Sequence, residues 1–131
     1  MNAAAVPELC TVLLVEDDPD TREIMARLLR RAGCEVRDAV CVGDALLELE
    51  EWLPTHILLD LMLPDAGGIV VLRAVRRRKL DVKVALVTAA GPMSDALGEA
   101  SRWQPDAVFH KPVWFPDVEA WLEDSPAPPS A

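Results

Sequence analysis

The sequence predicts an α/β protein in which a parallel sheet is covered by helices on both faces. Three observations carry that reading. Five short apolar runs alternate with five stretches of helical periodicity, the mark of repeated strand–helix units. The runs Val12 to Val15, Ile57 to Leu59 and Val82 to Val87 hardly alternate in polarity, as strands buried on both faces require. Polar, chemistry-bearing residues follow the runs, at the sheet edge where open parallel sheets bind ligands. Right-handed crossovers and the switch-point rule then bring the ends of the first and third strands together.

In chain order, the first run ends in Glu16-Asp17-Asp18. Asp18 can cap a helix, Pro19 suits its first position, and Asp20 and Glu23 lie near the positive end of its dipole. Ile24, Met25, Leu28 and Leu29 recur at helical spacing, and Gly33 stops the helix. Cys34 to Val40 reads as a short strand. Val42 to Leu53 reads as a second helix, with Leu46, Leu47 and Leu49 on its apolar face and Pro54 closing it. Thr55 to Leu63 is the third strand, carrying Asp60. Ile69 to Leu80 is a helix ending in Arg76-Arg77-Arg78-Lys79, basic residues that complement the dipole from a solvated position. The run to Val87 leads into Thr88. A helix follows over Pro92 to Arg102, with Met93, Ala96, Leu97 and Ala100 apolar. Asp106 to Phe109 is a strand leading into His110-Lys111-Pro112, and Pro116 to Leu122 suffices for about two helical turns.

The bulk numbers suit one domain. With 131 residues, 51% hydrophobic and 27% charged, the chain can bury a core without staples. Its net charge of −9 argues against general binding of nucleic acid or an anionic membrane and suits a protein holding a cation. No apolar run approaches the ~18 residues of a membrane span. Met1 to Leu9 lacks the features of a signal peptide. Cys10, Cys34 and Cys41 form no CxxC pair and read as reduced thiols of a cytosolic protein. His56 and His110 stand at no spacing that would make a metal site with them. The domain is expected over 1–124, with a disordered Pro/Ala/Ser tail over 125–131.

Glu16, Asp17, Asp60, Thr88 and Lys111 thus emerge at one edge. Three convergent carboxylates repel one another unless a cation shares them, and an all-oxygen set suits Mg²⁺. A lysine beside them offers a point charge to phosphate, and a threonine hydroxyl can bond another phosphate oxygen. The set is suited to placing a phosphoryl group beside a metal, with Asp60 as the nucleophile that becomes an aspartyl phosphate.

At these residues the sequence resembles the receiver domain of two-component response regulators, from about Thr11 to Leu122. The matching pieces are Val12-Leu13-Leu14-Val15-Glu16-Asp17-Asp18, Leu58-Leu59-Asp60-Leu61-Met62-Leu63-Pro64-Asp65-Ala66-Gly67-Gly68, Leu86-Val87-Thr88-Ala89 and Lys111-Pro112. The resemblance implies a flavodoxin-like (βα)5 fold, strand order 2-1-3-4-5, with a short last helix. It implies Asp60 as phosphoacceptor, and Glu16, Asp17, Asp60 and the Met62 backbone carbonyl as Mg²⁺ ligands. Thr88 would be the switch hydroxyl and Lys111 the phosphate-contacting lysine. The phosphoryl group would come from a phosphohistidine on a sensor histidine kinase or a histidine phosphotransfer protein, in the cytoplasm, with neither nucleic acid nor membrane as partner and a homodimer as one possible assembly.

The chain departs from that family's pattern in its output region. Where members usually carry an aromatic three residues before the lysine stands Val108, and Phe109 falls on the opposite side by alternation. Trp103, Trp114, Phe115 and Trp121 crowd the surface on which receivers dimerise or dock. Met62 and Ala90 are apolar where a polar side chain could orient an attacking water, which implies slow self-dephosphorylation. A pseudo-receiver, an interaction module independent of phosphorylation, is the alternative. A haloacid-dehalogenase-type phosphohydrolase is set aside, because it wants an Asp where Met62 stands.

Overall fold

The computed structural model describes residues 10–89, 91 and 94–124. Met1 to Leu9, Ala90, Pro92, Met93 and the expected tail over 125–131 lie outside them. Ten elements follow in strict alternation: β1 (Thr11–Val15), α1 (Pro19–Arg31), β2 (Glu35–Ala39), α2 (Val42–Glu51), β3 (His56–Asp60), α3 (Ile69–Arg77), β4 (Lys83–Thr88), α4 (Asp95–Ser101), β5 (Ala107–His110) and α5 (Phe115–Asp124). The strands form one sheet in the order β2-β1-β3-β4-β5, every neighbour pair parallel. This is the expected flavodoxin-like architecture.

Alternation along the strands divides the core into two layers, since successive side chains point to opposite faces. Leu13, Val15, Ile57, Leu59, Val84 and Leu86 pack on one side against Ala45 and Leu49 of α2, Val71, Leu72 and Val75 of α3, and Leu97 and Ala100 of α4. Val12, Leu14, Leu58, Ala85 and Val87 pack on the other against Ala26 and Leu29 of α1 and Val118, Trp121 and Leu122 of α5. All five β3 residues are buried, which is why that run shows no polar alternation. Truncating Leu58 or Leu59 to Ala would cost about 2–5 kcal/mol.

The helix starts follow local chemistry. The Asp18 carboxylate accepts from the Thr21 N–H at 2.8 Å, and Pro19 opens α1. Gly33 leaves the helix at φ 104°, a left-handed conformation that glycine adopts without steric cost. The Ser94 hydroxyl caps α4, accepting from Leu97 N–H at 3.1 Å.

Several expectations are corrected. Ile24 and Leu47 are 57% and 63% exposed, because Ala26 in α1 and Val42 and Ala45 in α2 supply the buried positions instead. β3 stops at Asp60 rather than Leu63: Leu61 N–H makes the last ladder bond, to Val87 O at 2.9 Å, and Leu61 O then turns away to accept from Gly68 N–H at 2.8 Å. α2 ends at Glu51, ahead of the extended Trp52 and of Pro54, whose ring disfavours helix in the residue before it. α3 ends at Arg77 and α4 begins only at Asp95. α5 runs ten residues, about one turn more than expected, because the polar Glu123 and Asp124 continue it into solvent. Arg76 is not merely solvated: its guanidinium donates to Trp103 O, Gln104 O and the Asp106 carboxylate at 3.1, 2.8 and 3.0 Å, tying α3 to the start of β5. Val108 packs with the α3/α4 layer while Phe109 turns to the α5 layer, its ring 6.1 Å from that of Trp121, as alternation demands. Of the other aromatics, Trp121 is core, Trp103 is half-buried beneath the Arg77 guanidinium, Phe115 is half-buried, and Trp114 is 69% exposed.

Candidate functional site

Parallel register sets the site. Val15 lies opposite Leu59, so Glu16 and Asp60 leave adjacent strands at the same level. Asp60 lies opposite Val87, Thr88 opposite His110, and Lys111 N–H donates to Thr88 O at 2.8 Å. Four strand ends therefore deliver their polar residues to one edge, as the sequence predicts. The Lys111–Pro112 peptide is cis.

Carboxylate oxygens of Glu16, Asp17 and Asp60 lie within 4.8 Å of one another. Glu16 and Asp60 are buried, at 3% and 4% exposure, while Asp17 faces solvent. The Lys111 ammonium bridges the buried pair, 2.9 Å from Asp60 Oδ2 and 3.1 Å from Glu16 Oε1. Backbone donors take the remaining oxygens. Asp18 N–H donates to Glu16 Oε2 at 3.1 Å, and Met62 N–H donates to Asp60 Oδ1 at 2.9 Å. Burial pushes the Glu16 carboxyl above its ordinary value, and the neighbouring Asp60 charge adds to this against the donors from Asp18 and Lys111. Burial alone would lower the Lys111 ammonium, but its bonds to Asp60 and Glu16 outweigh that and leave it above its usual value. Two buried acids answered by one lysine leave negative charge in excess, and with Asp17 at the mouth this oxygen-rich cluster fits a divalent cation.

Thr88 is fully buried at the end of β4. Met62 is 60% exposed beside the acids, joined to Gly67 by a short antiparallel bridge. Ala90, the second apolar position invoked for slow dephosphorylation, lies outside the described residues. A cavity of about 570 Å³ runs from Glu16, Asp60 and Lys111 between α1 and α5, past Ile24, Met25, Phe115 and Val118.

Two residues of the Pro64-Asp65-Ala66-Gly67-Gly68 piece carry supporting roles that the sequence did not assign to them. Asp65 anchors α2 by accepting from Val42 and Gly43 N–H, each at 3.0 Å, which holds its carboxyl below the usual range. Gly68 sits so close to β3 that a Cβ there would fall 2.2 Å from the Asp60 carbonyl oxygen. The paired glycines after Pro64 were the available signal for the second; nothing local marked the first.

Comparison with known proteins agrees with this geometry. Residues 12–122 match the response regulator receiver domain family. The chain is 37% identical over 84 residues to the transcriptional regulatory protein PrrA of Mycobacterium tuberculosis, covering 64% of this chain and 36% of PrrA. It is 28% identical over 116 residues to the acid tolerance regulatory protein ActR of Rhizobium meliloti, covering 88% of this chain and 59% of ActR. The chain thus spans less than two thirds of the length of these relatives. Among solved structures, the response regulator TrrA of Thermotoga maritima, in complex with Mg(2+)-BeF, superposes with a TM-score of 0.78 at 26% identity, over 88% of this chain and 98% of that one. A LuxR-family DNA-binding response regulator of Staphylococcus aureus superposes with a TM-score of 0.81 at 25% identity, over 89% and 98%. Among the described residues no helix is long and apolar enough to cross a membrane.

Proposed function

This chain belongs to the response regulator receiver domain family, and from that premise we propose that it accepts a phosphoryl group on Asp60 and uses it to switch the binding of a partner. The observation that carries this reading is the Lys111 ammonium held 2.9 Å from Asp60 and 3.1 Å from Glu16 at the mouth of a three-carboxylate cluster. In the transfer, an Asp60 oxygen attacks phosphorus while the bond from phosphorus to the imidazole nitrogen of the donor phosphohistidine breaks. Such transfers depend on positioning and charge stabilisation, and the chain supplies both. Met62 N–H fixes the Asp60 carboxylate, and Lys111 offers a cation to the incoming phosphoryl oxygens. Glu16, Asp17 and Asp60, with the Met62 carbonyl, would hold Mg²⁺, which when bound neutralises charge on the phosphoryl group. Thr88 serves as the hydroxyl that the new phosphate draws toward the site, biasing two states of the loop after β4.

The donor on this reading is a sensor histidine kinase or histidine phosphotransfer protein of the cytoplasm. Output runs to a downstream protein partner or a second copy of the chain, not to nucleic acid or a membrane. The pseudo-receiver alternative draws on one observation: Val108 packs half-buried against the core where a mobile ring would be expected. One experiment separates the two. The chain is incubated with Mg²⁺ and acetyl phosphate, and its intact mass is followed. Phosphoacceptance predicts one added phosphoryl group, lost in Asp60→Ala. No adduct, or an adduct that survives Asp60→Ala, would leave the interaction module.

A further inference from the structure

At the opposite edge of the sheet, Cys10 precedes β1 and Cys34 precedes β2. The register Thr11↔Glu35 puts the two cysteines directly opposite one another, and Glu35 N–H donates to Cys10 O at 3.0 Å. Neighbouring strands lie about 4.8 Å apart, inside the ~4.4–6.8 Å Cα separation that a disulfide spans. Residues opposite each other on parallel strands project to the same face, and here both side chains enter the α1/α5 layer, 2% and 5% exposed. Their sulfurs are 2.7 Å apart. Two cysteines serving only as small apolar fillers would have no need to meet. Their surroundings are also polar: the Thr55 hydroxyl and the His56 imidazole, themselves 2.7 Å apart, both reach Cys10. Cys41 is elsewhere, its sulfur accepting from Asp44 N–H at the start of α2.

We propose that Cys10 and Cys34 form a redox-responsive dithiol that hydrogen peroxide converts to an intramolecular disulfide, clamping β1 to β2 across the α1 crossover. Cys10 reacts first. Its thiolate attacks one peroxide oxygen, the O–O bond breaks, hydroxide leaves, and Cys10 becomes a sulfenic acid. Cys34 then gives up its proton and attacks the Cys10 sulfur, so that the S–S bond forms as the S–O bond breaks and water leaves. The two thiols together lose two electrons, the peroxide gains them, and two waters result. The two thiols share one proton across the 2.7 Å contact, and the Thr55–His56 pair on the Cys10 side favours the thiolate there, so Cys10 is the thiol that leads. Low-molecular-weight thiols reverse the reaction by exchange. The pair lies at the far edge of the sheet from Asp60 and does not depend on phosphoacceptance.

The test uses the full chain with its natural cysteines, reduced and then exposed to a small excess of hydrogen peroxide. Thiols are counted after denaturation, and a non-reduced digest is mapped by mass spectrometry. The expected result is a fall from three thiols to one, a peptide linking Cys10 to Cys34, recovery of all thiols with dithiothreitol, and a higher Tm for the oxidised chain, because the cross-link restricts the unfolded state. In Cys34→Ser, Cys10 should halt at the sulfenic acid and be trapped by dimedone. Retention of three thiols, linkage between different chains, or over-oxidation of Cys10 with Cys34 still free would each overturn the proposal. The linkage map needs no variant, so failure of Cys34→Ser to fold leaves it decisive.

Discussion

Gly68→Ala tests how closely the phosphoacceptor strand is supported. Gly68 has φ −56° and ψ −21°, a conformation open to any residue, and its N–H donates to Leu61 O at 2.8 Å. At such a position alanine should gain about 0.4–1 kcal/mol by restricting the unfolded chain. Here the added Cβ would fall 2.2 Å from Asp60 O and 3.1 Å from both Asp60 C and Leu61 Cα. Ordinary contact begins at 3.4 Å, so the α3 start and the end of β3 must part by about 1.2 Å. The three nearest atoms are all backbone, so no rotamer change relieves the clash with them. Overpacking of this kind costs about 1–3 kcal/mol, which exceeds the entropic gain. Tm should fall by about 4 °C per kcal/mol at this chain length. Since the atoms displaced belong to Asp60 itself, the rate of modification by acetyl phosphate should drop by about 10²-fold, the usual consequence of a ~1 Å misplacement. Gly98→Ala is the control: nothing lies within 4 Å of its Cβ position in α4, so it should stabilise by about 0.5–1 kcal/mol and leave the rate alone. A Gly68→Ala chain as stable as the parent, with an unchanged rate, would refute the reasoning.

Other perturbations probe the remaining contacts. Mg²⁺ at about 100 times its Kd should raise stability by about 2.7 kcal/mol; Asp17→Asn should remove most of that gain while leaving the metal-free Tm nearly unchanged, since Asp17 is exposed. A full Mg²⁺ response in the variant would take Asp17 out of the metal set. Met62→Asn should shorten the phosphoryl half-life by at least about 10-fold, toward the range supplied by a positioned polar group; acid-quenched time courses read it, and an unchanged half-life contradicts the assignment. Asp65→Asn should lower Tm at pH 7 by removing the charge that receives Val42 and Gly43 N–H. The folded Asp65 carboxyl lies below its ordinary 3.8, so its contribution is present above that pH and lost as pH falls through the folded value. The variant should therefore show a shallower acid limb, whereas parallel stability curves would show that the anchor contributes nothing.

Much of this protein was determined by short-range pattern. Unbroken apolar runs marked strands covered on both faces, Asp18-Pro19 and Gly33 bounded α1, and the acids, Thr88 and Lys111 followed directly from strand ends. These features depend on a residue and its immediate neighbours, so a linear reading reaches them. Tertiary packing decided the rest. Ile24 and Leu47 have helical spacing but face outward, because which apolar positions are covered depends on what the sheet presents. Lys111 meets Asp60 across 51 residues, Arg76 binds the loop before β5 across 27 to 30, and Cys10 meets Cys34 across 24. The order of chain residues records that such groups exist and at which edge they arrive. Whether they touch is set by strand register and by close approaches such as that of Gly68 to Asp60, which depend on distances of a few tenths of an ångström between segments far apart in sequence.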